Sequence, residues 1–208
     1  MKRAAARRTQ VERRAVTRQA LIEAAARGLA TFGYANLVLE QVARDAGYTR
    51  GALYHLFANK EELTLAVVTW VSETWDAEVR QPALRAEDPL AALLAMARGH
   101  ALYCRRHVGA TVMLTLRVEF AGQDHPVGRG MAQTYEQLER EWAALVSAGR
   151  RNGSIPAGPP ARLTAAALLA VLESVAIEVA GKAPHDVELV RRGVLGLLGV
   201  APLDAPSS

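Results

Sequence analysis

The chain is predicted to be all-α, on three observations. Half of its 208 residues are apolar and only 5% are aromatic, with Ala and Leu dominant. Apolar positions recur at helical intervals along most of the sequence. Gly and Pro punctuate the periodic stretches instead of bounding short alternating ones. A chain of this length fits one or two domains and buries a sizeable core.

The stretch that organises the rest is LEQVARDAGYTRGALYHLFANK, Leu39 to Lys60. Leu39, Val42, Ala43 and Ala46 give its first helix one apolar face, leaving Glu40, Arg44 and Asp45 outside. Gly47 ends that helix where a left-handed residue is needed, and Thr49 caps the next one with its hydroxyl. The second helix packs through Leu53, Leu56 and Phe57 and turns Arg50, Tyr54 and His55 outward. Ala43 is small where two helices cross. This is the helix-turn-helix pattern, whose second helix enters the DNA major groove. On spacing alone an ordinary αα-hairpin remains open.

Charge supports the nucleic-acid reading. Residues 1–60 hold 11 Lys/Arg against 4 Asp/Glu, whereas the remaining residues hold 14 against 17. A basic head on a mildly acidic body suits a polyanion bound by the head alone. Seven of those cations precede Gln19 (Lys2, Arg3, Arg7, Arg8, Arg13, Arg14, Arg18), as a basic arm for phosphates or the minor groove, or as a solvated tail.

The run GYTRGALYHLFANKEEL resembles the DNA-binding signature of TetR-family transcriptional regulators. Gly51, Leu53, Tyr54, Phe57, Lys60, Glu61 and Leu63 stand in matching positions, and FGYAN, Phe32 to Asn36, precedes them. The resemblance implies an N-terminal three-helix helix-turn-helix DNA-binding domain, with the basic arm, over residues 1–60. A six-helix ligand-binding and dimerisation domain over 61–208 would follow. It further implies a homodimeric repressor on a palindromic double-stranded DNA operator, released by a small-molecule effector and needing no cofactor. One departure is visible. The family usually has Thr or Ser before the second helix, where this chain has Leu37 and Val38, so Asn36 is the capping residue left.

In chain order, a first helix from about Val11 to Thr31 buries Ile22, Ala25, Ala26, Leu29 and Phe32 and stops at Gly33. After the helix-turn-helix, Lys60 opens a helix to about Val79, with Leu63, Val67, Trp70, Val71 and Thr74 on its buried side. Pro82 and Pro89 punctuate the next connection, and Asp88 caps a helix with Pro89 in its first turn. Helices follow from about Leu90 to His107, Ala110 to Ala121, Val127 to Arg151, Arg162 to Ala180 and His185 to Leu198. The longest carries charge pairs around Glu136, Arg140 and Glu141. The last two are strongly apolar, through Leu163 to Val179 and through Val187, Val190, Val194, Leu197 and Leu198. They suit the homodimer interface that the resemblance implies. Gly193, Gly196 and Gly199 mark either a close backbone approach or a fraying end.

By the same resemblance Thr49, Tyr54 and Lys60 are expected at phosphates, and Gly51 lets the backbone approach. These contacts set register. Arg50 is the expected base reader, since a guanidinium grips guanine O6 and N7 together. His55 is the second choice, and Arg44 faces a phosphate. A ligand pocket in the body is expected among Trp70, Tyr103, Met113, Arg117, Phe120 and Trp142, with Glu119 and Glu178 as orienting charges. For each of these, plain core packing or a surface ion pair is the competing account. LRVEF followed by GQDHP is similar to regulators of drug-efflux genes, which points to a hydrophobic drug-like ligand.

Other classes find little support. No P-loop, Gly-x-Ser-x-Gly elbow, His-Glu-x-x-His or dinucleotide fingerprint is present, so an enzyme is not expected. Cys104 is the sole cysteine, excluding an intrachain disulfide. His100, Cys104 and His107 share a helix face, but one thiol without a fourth ligand favours packing over a metal. Glu173 and Glu178 interrupt the most apolar stretch, which makes it a poor membrane span, and a cytoplasmic protein is expected. The alternative function is a helical interaction or architectural DNA-binding protein without an inducer.

Overall fold

The computed structural model describes residues 9–201, and among these the chain forms helices and no strand. The head consists of α1 (Gln10–Phe32), α2 (Leu39–Asp45) and α3 (Arg50–Leu56). α4 (Lys60–Trp75) continues through a π-helical turn (Asp76–Arg80) and a last α turn (Gln81–Ala83). The body follows as α5 (Pro89–Arg106), α6 (Gly109–Glu119), α7 (Pro126–Asn152), α8 (Ala161–Glu178) and α9 (His185–Leu198). Lys2, Arg3, Arg7 and Arg8 of the basic arm, and the chain beyond Ala201, lie outside the described residues.

Local chemistry explains most boundaries. Thr9 and Glu12 form a reciprocal capping box at the start of α1, at 3.2 and 2.7 Å. Thr49, Asn59 and Asp88 each accept a backbone N–H at the start of α3, α4 and α5. The α2–α3 turn is a Schellman motif: the Tyr48 N–H reaches the Ala43 carbonyl and that of Gly47 the Arg44 carbonyl, both at 2.9 Å. Gly47 sits at φ +77°, which the motif requires of this position.

Four details depart from the sequence expectation. Phe32 is 59% exposed, because α1 has turned its last residue past the edge of the core. Asn36 does not cap α2. Its amide donates to the Phe32 carbonyl at the end of α1, and Val38 stands at the α2 N-cap without a side-chain bond. Pro82 does not break the helix after α4, since it falls in the first turn of a new α segment, where its missing N–H is tolerated. On α9, Leu195 is buried and Leu197 is 39% exposed, so the buried stripe runs through Val190, Val194, Leu195 and Leu198. Of the glycines there, Gly193 meets α8 closely, an added Cβ lying 2.8 Å from Val171, whereas Gly199 is the left-handed cap.

Two clusters form the core. The first joins Leu21, Leu29, Ala43, Leu53, Phe57 and Val67 of the head and α4 to Val112 and Leu116 of α6 and Met131 of α7. The second joins α5, α8, α9 and the far end of α7 through Leu93, Trp142, Leu168 and Val190.

Two carboxylates fasten the assembly. Glu119, the last residue of α6, accepts the backbone N–H groups of Tyr34 and Ala35 at 2.6 and 2.7 Å. Opposite it, the Lys60 ammonium donates to the carbonyls of the same two residues at 2.8 and 3.1 Å and lies 4.5 Å from the Tyr34 ring centre. The α1–α2 loop is thus held from both sides. In the body, fully buried Asp186 accepts Nε and Nη2 of Arg105, both at 2.6 Å. Those bonds pull its carboxyl from the usual 3.8 to about 2.

Glu119→Ala is expected to speed hydrogen exchange at the Tyr34 and Ala35 amides by about tenfold, leaving mid-α1 amides unchanged. Asp186→Asn, measured by thermal unfolding at neutral pH, is expected to lower Tm by about 5 °C. Because folding depresses the Asp186 pKa, its contribution is present above about pH 4 and disappears as pH falls towards 2. The variant therefore loses stability less steeply across that acid range.

Candidate nucleic-acid interface and body cavity

α3 packs on the head through Leu53, with Phe57 just beyond its end, and both are buried. Arg18 of α1 lies 5.3 Å from the Phe57 ring centre. The opposite face of α3 is open and carries Arg50, Gly51, Tyr54 and His55. The Arg50 Nε pairs with Glu40 of α2 at 3.1 Å, and its guanidinium lies 5.3 Å from the Tyr54 ring centre. Both side chains are exposed, and such pairs contribute about 0–1 kcal/mol, so Arg50 leaves its partner cheaply. Thr49 uses an oxygen lone pair for the Ala52 N–H, which leaves its hydroxyl proton available. A side chain at Gly51 would stand 3.9 Å from the Thr49 hydroxyl and would cover this face. Arg44 is exposed on α2 and donates to Gln41 at 2.6 Å. Lys60 is placed differently, with its ammonium occupied by the α1–α2 loop.

A cavity of about 430 Å³ opens between the tail of α4 and α5, α6, α7 and α8. Of the eight residues expected around a pocket, Tyr103 and Met113 line it. The other six lie elsewhere. Phe120 stacks on His125 and meets the edge of Tyr34 in the first core cluster, and Trp70 packs against that cluster. Trp142 is fully buried in the second cluster. Glu119 holds the head loop, and Glu178 is exposed at the end of α8. Arg117 stands behind this cavity's wall and lines a second, more open one between α6 and α8, donating to Glu173 at 3.2 Å with its guanidinium 4.6 Å from the Tyr135 ring centre.

Sequence reasoning missed the polar lining. In the sequence Glu173 reads only as an interruption of an apolar run. It is buried, accepts the Tyr135 hydroxyl as well as Arg117, and has its carboxyl pKa raised by desolvation against the pull of both. A carboxylate inside the most apolar helix was the signal for it. Glu73, Asp76, Arg80 and Glu141 also line the cavity. Their common placement depends on the π turn, which nothing in the apolar spacing announces.

The His100, Cys104 and His107 face is used for packing. His100 accepts the Trp75 indole N–H on Nδ1 at 3.0 Å, and burial lowers its pKa to about 4, so the ring is neutral. Burial raises the Cys104 thiol to about 12, and His107 lies 3.1 Å from Glu78. Among the described residues no helix is long and apolar enough to cross a membrane.

Residues 21–67 match the family model described as bacterial regulatory proteins, tetR family. The chain is 43% identical over 74 residues to the probable HTH-type transcriptional regulator ArpR of Pseudomonas putida, covering 36% of this chain and 34% of that protein. It is 30% identical over 125 residues to the A-factor receptor protein of Streptomyces griseus, covering 59% and 43% respectively. These alignments span less than half the length of each relative. The fold is similar to the crystal structure of AibR in complex with isovaleryl coenzyme A and operator DNA. That match has a TM-score of 0.75 at 20% identity, covering 89% of this chain and 100% of the other. It is also similar to SCO4454, a TetR-family transcriptional regulator from Streptomyces coelicolor, with a TM-score of 0.72 at 19% identity, covering 89% and 95%. The helix-turn-helix segment thus matches the tetR family of bacterial regulatory proteins, and the all-helical fold around it is similar to that of a TetR-family regulator.

Proposed function

We propose that the protein is a ligand-responsive transcriptional repressor that binds a palindromic operator as a homodimer and is released by a small molecule. The observation that carries this is the open face of α3, inside the family-matched segment, with Arg50, Tyr54 and His55 exposed on a helix anchored by Leu53. Arg50 reads a base, and Thr49, Tyr54 and Arg44 set register on phosphates. Lys60 joins them only by giving up a loop carbonyl. Residues 1–60 act as the DNA-reading unit and 61–208 as the ligand and dimer unit. The protein works in the cytoplasm and not as an enzyme.

Two features support the rest. A cavity of about 430 Å³ falls within the usual size of small-molecule sites and favours an inducible regulator over an architectural DNA-binding protein. The similar AibR fold is described with both isovaleryl coenzyme A and operator DNA. For the dimer, Leu163 on α8 and Leu189 and Leu197 on α9 are exposed apolar side chains that a second copy would cover. A hydrophobic drug-like effector fits the apolar part of the cavity wall.

The test is enrichment from random duplex DNA with the wild type and Arg50→Ala. An inverted repeat is expected, its preference relaxed at one position per half-site by about 1–3 kcal/mol in the variant. No enriched motif contradicts the proposal, and uniform weakening across sequences makes Arg50 a phosphate contact instead. Leu189→Glu with Leu197→Glu is expected to give a folded monomer by sedimentation. A dimer that survives both changes rules out this face.

A further inference from the structure

We infer that the body cavity takes an apolar organic cation, a hydrophobic amine or quaternary ammonium, in preference to an anion or a neutral molecule. The inference deepens the ligand-responsive reading above and rests on it. The cavity wall has two characters. Val71, Met113, Leu138, Leu169 and Leu172 give it an apolar side. Its carboxylates are Glu73, Asp76, Glu141 and Glu173 and its one cation is Arg80, while His100 is neutral.

The pairing of those charges decides the ligand. Glu173 is already satisfied by Tyr135 and by Arg117 from behind the wall. Arg80 is shared between two carboxylates, 2.5 Å from Asp76 and 3.6 Å from Glu141. Glu73 has no hydrogen-bond or ion-pair partner among the described residues. Carboxylates therefore exceed cations along this wall, and the one guanidinium lining the cavity is committed. An entering anion would meet repulsion and would have to take Arg80 from its partners. A cation finds unbalanced carboxylates together with the ring of Trp75, whose quadrupole also attracts positive charge. The apolar body of the ligand then replaces water against the aliphatic side of the wall.

The test uses three probes with one tail: decyltrimethylammonium, decanoate and decan-1-ol, each below its aggregation concentration. Binding to the DNA-free full chain is read by calorimetry at low ionic strength. Decyltrimethylammonium is expected to bind at least tenfold more tightly than decanoate. Glu73→Gln with Glu141→Gln, both on the accessible side of the wall, is expected to remove most of that preference. Decan-1-ol binding stays unchanged in the double variant, reporting an intact cavity. Equal or tighter decanoate binding overturns the inference, as does a charge preference that the double variant leaves untouched. Because the readout needs no DNA, ammonium binding that fails to release an operator upholds the ligand class and refutes only the release.

Discussion

One of the two hydrophobic clusters ties α3 to the body, and the direction of the open α3 face follows from it. α1 is the shared element. Leu21, Ile22 and Leu29 bury against α4 on one side, while Val112 and Leu116 of α6 belong to the same cluster. Leu53 plugs α3 into that core, so the exposed face of α3 has its direction fixed by α2 and α1 and not by its own seven residues. A helix that short is unstable alone. Its stability is borrowed from its packing on α1 and α2. The Glu119 bonds to Tyr34 and Ala35 add direction to this nondirectional packing. α6 also lines the cavity with Ala110 and Met113, so one rigid helix touches both the cavity and the head.

Four carboxylates show how environment assigns roles to the same chemical group. Glu119 bonds backbone N–H groups and acts as a clasp. Asp186 is buried but held by a two-point guanidinium contact, so it stays ionised far into acid. Glu173 is buried beside a tyrosine hydroxyl and a half-exposed arginine, and desolvation raises its pKa. Glu73 is exposed at the cavity edge without a partner among the described residues. Only the last keeps its charge free for a ligand.

The sequence was most legible where structure is local. The Ala43–Gly47–Thr49 turn, the stop of α1 at Gly33 and the Asp88–Pro89 start of α5 follow from caps and glycine conformations within a few residues. Those features carried the fold class and the helix-turn-helix. What stayed hidden depended on distant partners. Glu119 sits next to Phe120 in an apparently ordinary helix end, and its bonding partners lie some 85 positions earlier. The cavity required the π turn to bring Asp76 and Arg80 to Glu141. Aromatic residues guided unevenly to the cavity. Trp142 and Phe120 fill core where packing is tightest, while Tyr103 lines the open space together with Trp75 and Tyr135.

The central claim is that two copies of this chain read DNA together through α3. Native mass measurement of the protein on its selected duplex tests this most directly. The account predicts two chains, or a multiple of two, per duplex, with no single-chain complex even at limiting protein. One chain bound per duplex with full sequence preference would contradict it.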